Sequence, residues 1–138
     1  DLLDDEVDAI ARLSRALAID GIIATNTTIR REVLSRAPRI EGGISGAPLR
    51  ARALELTRRL HRIVEGSVPI VGVGGIFTAE DAYRRIRAGA SLVQIYTGLI
   101  YEGPSIVGKI QAGLGRLLEA DGFSRIAEVV GADARAAT

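Results

Sequence analysis

The sequence predicts a parallel α/β fold, and three observations carry that reading. Short, continuous apolar runs recur at Gly21-Ile22-Ile23-Ala24-Thr25, Pro69-Ile70-Val71-Gly72-Val73 and Ser91-Leu92-Val93-Gln94-Ile95-Tyr96, as expected of strands buried on both faces of a sheet. Stretches of helical spacing separate them, so the order is helix, strand, helix, strand, helix, strand, helix. No hairpin signal interrupts that alternation, which implies parallel strands joined by right-handed crossovers. A doubly wound sheet and a (β/α) barrel both satisfy this order. The third observation, unusual residues at every strand end, bears on the choice, because barrels gather their functional groups at the C-terminal ends of strands.

Each element has its own signal. Asp4 and Asp5 precede an apolar series at Val7, Ile10, Leu13 and Leu17, which predicts a helix with acids in its first turn and one buried face. The first strand is followed by an irregular stretch, Asn26 to Gly46, holding Pro38 and Gly42-Gly43. Connections that long are usually functional or disordered. Pro48 suits the first turn of a helix whose stripe is Leu49, Ala53, Leu56, Leu60 and Ile63. Gly74-Gly75 closes the second strand. Thr78 then caps a helix with Asp81 three residues on, in a variant of the capping box, and Gly89 terminates it. Thr97-Gly98 ends the third strand, Gly103-Pro104 breaks the chain, and a last amphipathic helix is expected over about residues 105–119. Ser124 is expected to cap a short final helix.

Composition narrows the function classes. The 138 residues carry a formal charge of +1, so bulk electrostatics give no reason to expect nucleic acid or anionic lipid. The arginines mostly sit beside acids or on helix faces and read as solvated surface. Cysteine is absent, which excludes a disulfide framework, a thiolate metal site and a cysteine nucleophile here. No apolar run approaches the roughly 18 residues of a membrane span, and a soluble, cytoplasmic segment is expected. The chain begins at Asp1 and contains no methionine, and reads as a piece cut from a longer chain.

The strand ends hold the candidate chemistry. Glycine lets backbone approach a ligand closely, and successive free amides form an anion-binding nest. Barrels frequently bind phosphate with the loops after two neighbouring strands and a short helix N-terminus. Gly74-Gly75 and Thr97-Gly98 have that spacing, although a glycine pair also serves as a plain tight turn. Each amide hydrogen bond to a charged oxygen contributes roughly 1.5–3 kcal/mol. Thr25-Asn26-Thr27-Thr28 could read a planar ligand bearing amide and carboxylate groups, or could satisfy its own backbone through Asx and Ser/Thr turns. His61 has no metal-binding companions and reads as surface. Tyr96 and Tyr101 fit core packing with a hydrogen-bonded tip.

Four ordered motifs together resemble dihydroorotate dehydrogenase: Ile23-Ala24-Thr25-Asn26-Thr27-Thr28, Gly42-Gly43-Ile44-Ser45-Gly46-Ala47-Pro48-Leu49, Ile70-Val71-Gly72-Val73-Gly74-Gly75-Ile76, and Ala88 through Gly98. Val93-Gln94-Ile95-Tyr96-Thr97 with Gly103-Pro104, and the tail Gly122 to Ala132, are similar to the quinone-reducing, membrane-associated class. The resemblance implies that residues 1–138 are one partial FMN-binding domain, the C-terminal portion of a TIM (β/α)8 barrel with its sixth to eighth strands. It implies FMN contacts at Thr25, Gly46, Gly75, Tyr96 and Thr97, and contacts to dihydroorotate or orotate at Asn26 and Thr27. In the implied reaction, a proton leaves C5 of dihydroorotate, hydride passes from C6 to the flavin, and reduced FMN reduces a quinone. The family's serine base lies on a loop after the fourth strand, which is not in this chain. Ser14, Ser35, Ser45, Ser67, Ser91, Ser105 and Ser124 are all in other contexts, so no catalytic residue is assigned. The family's flavin lysine would fall just ahead of Asp1-Leu2. Its membrane-meeting helical pair is likewise absent, so peripheral attachment to the cytoplasmic side of the cell membrane is implied only for the longer protein. The isolated chain is expected to be inactive and, with two open sheet edges, prone to associate. The alternative is a stand-alone FMN- or phosphate-binding half-barrel.

Overall fold

The computed structural model describes residues 1–34 and 41–135; Ser35 and Pro38, within the expected long connection, lie outside them. The order is α1 (Asp4–Ala16), β1 (Ile22–Ala24), 3-10 turns at Arg31–Val33 and Ala47–Leu49, α2 (Arg50–Val64), β2 (Ile70–Val73), α3 (Ala79–Arg87), β3 (Leu92–Gln94), α4 (Thr97–Glu102), α5 (Ser105–Ala120), α6 (Ile126–Val129) and α7 (Ala132–Arg135). The strands form one parallel sheet in the order β1-β2-β3. Ladder bonds run slightly past the strand limits, Thr25 N–H to the Val73 carbonyl (3.0 Å) and Ser91 N–H to the Ile70 carbonyl (2.8 Å), so the longer expected strands differ only in where the ends are drawn.

Register sorts the strand residues into two rows. Ala24, Ile70 and Gly72 point to the helices and are buried. There α1 and α2 enclose Val7, Ala11, Leu60, Val64 and Ile70, while Ile76, Ala82, Ile106 and Ile110 fill the space between α3 and α5. The other row, Ile23 beside Val71 beside Leu92, faces away from the helices. The expectation of strands buried on both faces is therefore corrected: Ile23 is 68% and Leu92 63% exposed. In a closed barrel that row is interior, and strands on the far side of the axis cover it.

Other sequence expectations shift for identifiable reasons. α1 buries Val7, Ala11 and Ser14, leaving Ile10, Leu13 and Leu17 exposed. Asp4 pairs with Arg52 (2.6 Å) and Arg59 (2.7 Å), and Asp8 also bonds Arg59. Val7 and Ala11 pack into the cluster with Leu60, Val64 and Ile70, which leaves the Ile10, Leu13 and Leu17 row on another flank, and the ion pairs to α2 accompany that packing. Pro48 lies in the 3-10 turn ahead of α2 rather than in α2 itself. The Thr78 hydroxyl accepts from Asp81 N–H (3.2 Å) as expected. His61 is half-buried, not on the surface, because Gly89 and Gly131 leave room for its ring. The N-cap of α6 is Arg125 rather than Ser124; the Glu128 carboxylate accepts both backbone N–H groups at 3.1 Å. The short helices α4 and α7 carry too few residues to show a periodicity in sequence.

Candidate functional site

A cleft of about 380 Å³ opens at the C-terminal ends of the three strands. Its walls include Thr25, Asn26 and Thr27 after β1, Gly46 ahead of α2, Gly75 after β2, and Tyr96 and Thr97 after β3. All the residues singled out for FMN or the pyrimidine thus border one space, on a floor that includes Leu49, Val73, Ile76 and Ile95.

At the β1 end, Thr27 N–H donates to Asn26 Oδ1 (2.8 Å), which leaves the Asn26 amide nitrogen as a two-proton donor. Thr28 turns away from the cleft: it is buried, its hydroxyl donates to the Asp1 carboxylate, and its backbone bridges to Ile44 in both directions (3.1 and 2.7 Å). That bridge anchors both ends of the long connection against each other and seats the segment carrying Ser45 and Gly46 beside the cleft.

At the β3 end, α4 begins at Thr97, and the first N–H groups of a helix have no partner inside it. The Thr97 hydroxyl donates to Ser45 Oγ (2.8 Å). Gly46 has φ +82°, and a Cβ there would stand 2.9 Å from Thr97 Cγ2. A Cβ on Gly98 would stand 2.5 Å from the Ile76 carbonyl oxygen. These close approaches hold the Ser45–Gly46 segment and the chain after β2 against the start of α4. Tyr96, expected as core packing, is instead 71% exposed and borders the cleft, and Tyr101 is exposed as well.

The β2 end is held by arginines. Gly74 and Gly75 take φ +105° and +72°. A Cβ on Gly75 would lie 2.5 Å from Arg50 Cα, so glycine is needed there to let the start of α2 approach, a different reason from ligand access. Arg50 Nε donates to the Gly75 carbonyl (3.0 Å) and pairs with Asp81 (3.1 Å). Arg85, an arginine expected on the surface, is 1% exposed. Its Nη1 and Nη2 donate to the carbonyls of Val73 (3.1 Å) and Gly74 (2.8 Å). Burial pushes its pKa down to about 10 against the opposing pull of Asp81, so it stays charged at neutral pH. Sequence reasoning missed Arg50, Arg85 and Ser45. The signal for Arg85 was its place between Ala82 and Ile86 on the buried face of α3, opposite a glycine: a Cβ on Gly72 would lie 2.5 Å from Arg85 Cγ.

A parallel α/β unit with a cleft at its strand ends is common to doubly wound and (β/α)-barrel enzymes, and superposition on a solved barrel structure selects the barrel. Comparison with known proteins gives the family. The dihydroorotate dehydrogenase family model matches residues 1–118. A relative from Anaeromyxobacter dehalogenans (strain 2CP-C), named dihydroorotate dehydrogenase (quinone), is 53% identical over 137 residues, covering 98% of this chain and 38% of the relative. One of the same name from Synechococcus elongatus is 53% identical over 143 residues, with 97% and 38% covered. The crystal structure of DHODH in complex with ferulenol from Eimeria tenella superposes with a TM-score of 0.90 at 38% identity, covering 96% of this chain and 36% of that one. The chain belongs to the dihydroorotate dehydrogenase family. It spans about 38% of the length of the curated relatives it matches. Among the described residues no helix is long and apolar enough to cross a membrane.

Proposed function

We propose that this chain is a partial FMN-binding domain that supplies the phosphate-holding wall, and part of the pyrimidine-facing wall, of a dihydroorotate dehydrogenase oxidising dihydroorotate to orotate with a quinone acceptor. The observation that carries this is that Gly75, Thr97 and Asn26 border one cleft. Backbone donors lie on one side of it and a side-chain amide on another, which suits a ligand with a phosphate and a neighbouring planar substrate. The residues present fit FMN: the glycine turn and the first turn of α4 offer amides without a lysine, and the apolar floor suits a flat ring.

Amides near Gly75 and Thr97 hold the phosphate, with Tyr96 alongside. Thr25 and Gly46 lie against the ring system. Asn26 and Thr27 orient the pyrimidine through its amide and carboxylate groups. FMN, when bound, supplies the two-electron chemistry that links dihydroorotate oxidation to quinone reduction. The chain's own part is binding and orientation; none of its serines is assigned the proton transfer, and Ser45, the serine bordering the cleft, already accepts from Thr97. Peripheral attachment to the cytoplasmic face of the cell membrane belongs to this reading for the longer protein.

The test replaces the matching segment of the Anaeromyxobacter relative with this chain. The hybrid is expected to retain FMN and to reduce a quinone analogue when given dihydroorotate, whereas the isolated chain gives no turnover. A folded hybrid that releases FMN would refute the assignment. Turnover by the isolated chain would place the proton-accepting group within these residues.

A further inference from the structure

We propose that Arg85, assisted by Arg50, is a positioning residue that aims the backbone amides of Gly75 and Ile76 into the cleft; this rests on the flavin-phosphate reading above. In a trans peptide the C=O and N–H lie on opposite edges of one plane. The only cis bond recorded among the described residues is Ala24–Thr25, so the planes after Gly74 and Gly75 are trans. Arg85 Nη2 holds the Gly74 carbonyl at 2.8 Å, which fixes the direction of the Gly75 N–H. Arg50 Nε holds the Gly75 carbonyl at 3.0 Å, which fixes the direction of the Ile76 N–H. Both arginines approach from the helical layer and stand behind the cleft wall, whereas Gly74, Gly75 and Ile76 border the cleft itself. The two N–H edges therefore face the space where an anion would sit. The next amide is withdrawn: Phe77 N–H donates to Asp81 Oδ2 (3.1 Å).

Such control is needed because glycines at positive φ turn their peptide planes easily. A flipped Gly74–Gly75 plane would present a carbonyl oxygen to the phosphate, exchanging attraction for repulsion. Core packing alone does not account for Arg85. Its Nε is buried with no hydrogen-bond partner among the described residues, an unfavourable arrangement that an apolar side chain between Ala82 and Ile86 would avoid. The guanidinium charge behind the two planes also adds positive potential on the anion side.

The test compares FMN with riboflavin, which lacks the phosphate. Flavin is stripped from the purified hybrid in which this chain replaces the matching segment of the Anaeromyxobacter relative, and both flavins are titrated back by fluorescence quenching. Arg85→Met is expected to weaken FMN binding by about tenfold or more, the worth of one hydrogen bond to a charged group, with riboflavin binding unchanged. Arg85→Lys, which keeps the charge and can reach one carbonyl, is expected to restore part of the difference. Arg50→Gln, at a half-exposed position, is expected to give a smaller loss of the same selective kind. Equal weakening of both flavins in these variants would mean a structural role only, and an undiminished preference for FMN would overturn the assignment outright. An unsubstituted protein that does not distinguish the two flavins would instead sink the flavin-phosphate reading itself, and this inference with it.

Discussion

The ends of β1 and β2 face the same cleft and are built in opposite ways. After β2, main-chain groups are oriented by side chains from behind: Arg85 and Arg50 take the carbonyls of Val73, Gly74 and Gly75, and Asp81 takes the Phe77 amide. The turn has no room for a Cβ at Gly75. After β1, side chains stand in front: Asn26 and Thr27 are exposed and share one hydrogen bond, with Thr28 and Asp1 anchoring the base. A corner that presents backbone suits a group common to many ligands, such as phosphate. A corner that presents side chains can read one particular ligand, because its donors are set by residue identity.

Substitutions separate the two corners, and the largest effect is expected at β2. Gly75→Val puts a branched side chain at φ +72° and 2.5 Å from Arg50 Cα. Left-handed strain and overpacking together should cost about 3 kcal/mol, read as a lower urea midpoint accompanied by loss of FMN. Normal stability in that variant would show that α2 yields easily and that the corner is softer than its contacts imply. At β1, Asn26→Ala should change stability by less than about 0.5 kcal/mol, yet raise the KM for dihydroorotate about tenfold in the holoenzyme by removing a specific donor. Unaltered substrate kinetics would remove Asn26 from the pyrimidine wall.

The smallest expected effect is with pH. Hydrogen bonding to Arg52 and Arg59 holds the carboxyls of Asp4 and Asp8 below the ordinary 3.8. A depressed acid contributes stability that is present above its unfolded value and is lost as pH falls through the folded one. The α1–α2 contact, which flanks β1, should therefore weaken below about pH 3.8. Hydrogen exchange in α1 should rise there ahead of exchange in α3, and the double change Asp4→Asn, Asp8→Asn should flatten that response. These pairs are exposed, so the effect is modest and salt should reduce it further.

The sequence made the strand order, the stripe of α2 and the glycine corner legible because each rests on local periodicity or local backbone need. Sorting of the two sheet faces was not legible: an apolar run such as Ile22-Ile23-Ala24 reads the same whether one side or both are covered. The roll of α1 was hidden for a related reason, since it follows from packing of Val7 and Ala11 against Leu60, Val64 and Ile70, far along the chain. At the site, Gly75 and Thr97 stand out by type and spacing, and Asn26 needed the family resemblance to be preferred over a self-bonded turn. Arg85 escaped because its partners are main-chain oxygens, which no residue letter announces.

Gly72 and Arg85 fill one volume between them, the strand residue giving up a side chain so that the helix residue can keep a long one. Substitutions at these two positions should therefore be permissible in one order only. A shorter residue at 85 leaves a gap that a methyl at 72 can later occupy, whereas alanine at 72 arriving first meets the arginine stem. Relatives that carry bulk at the strand position should accordingly have relinquished the long cation on the helix, and with it the means of holding the glycine turn from behind.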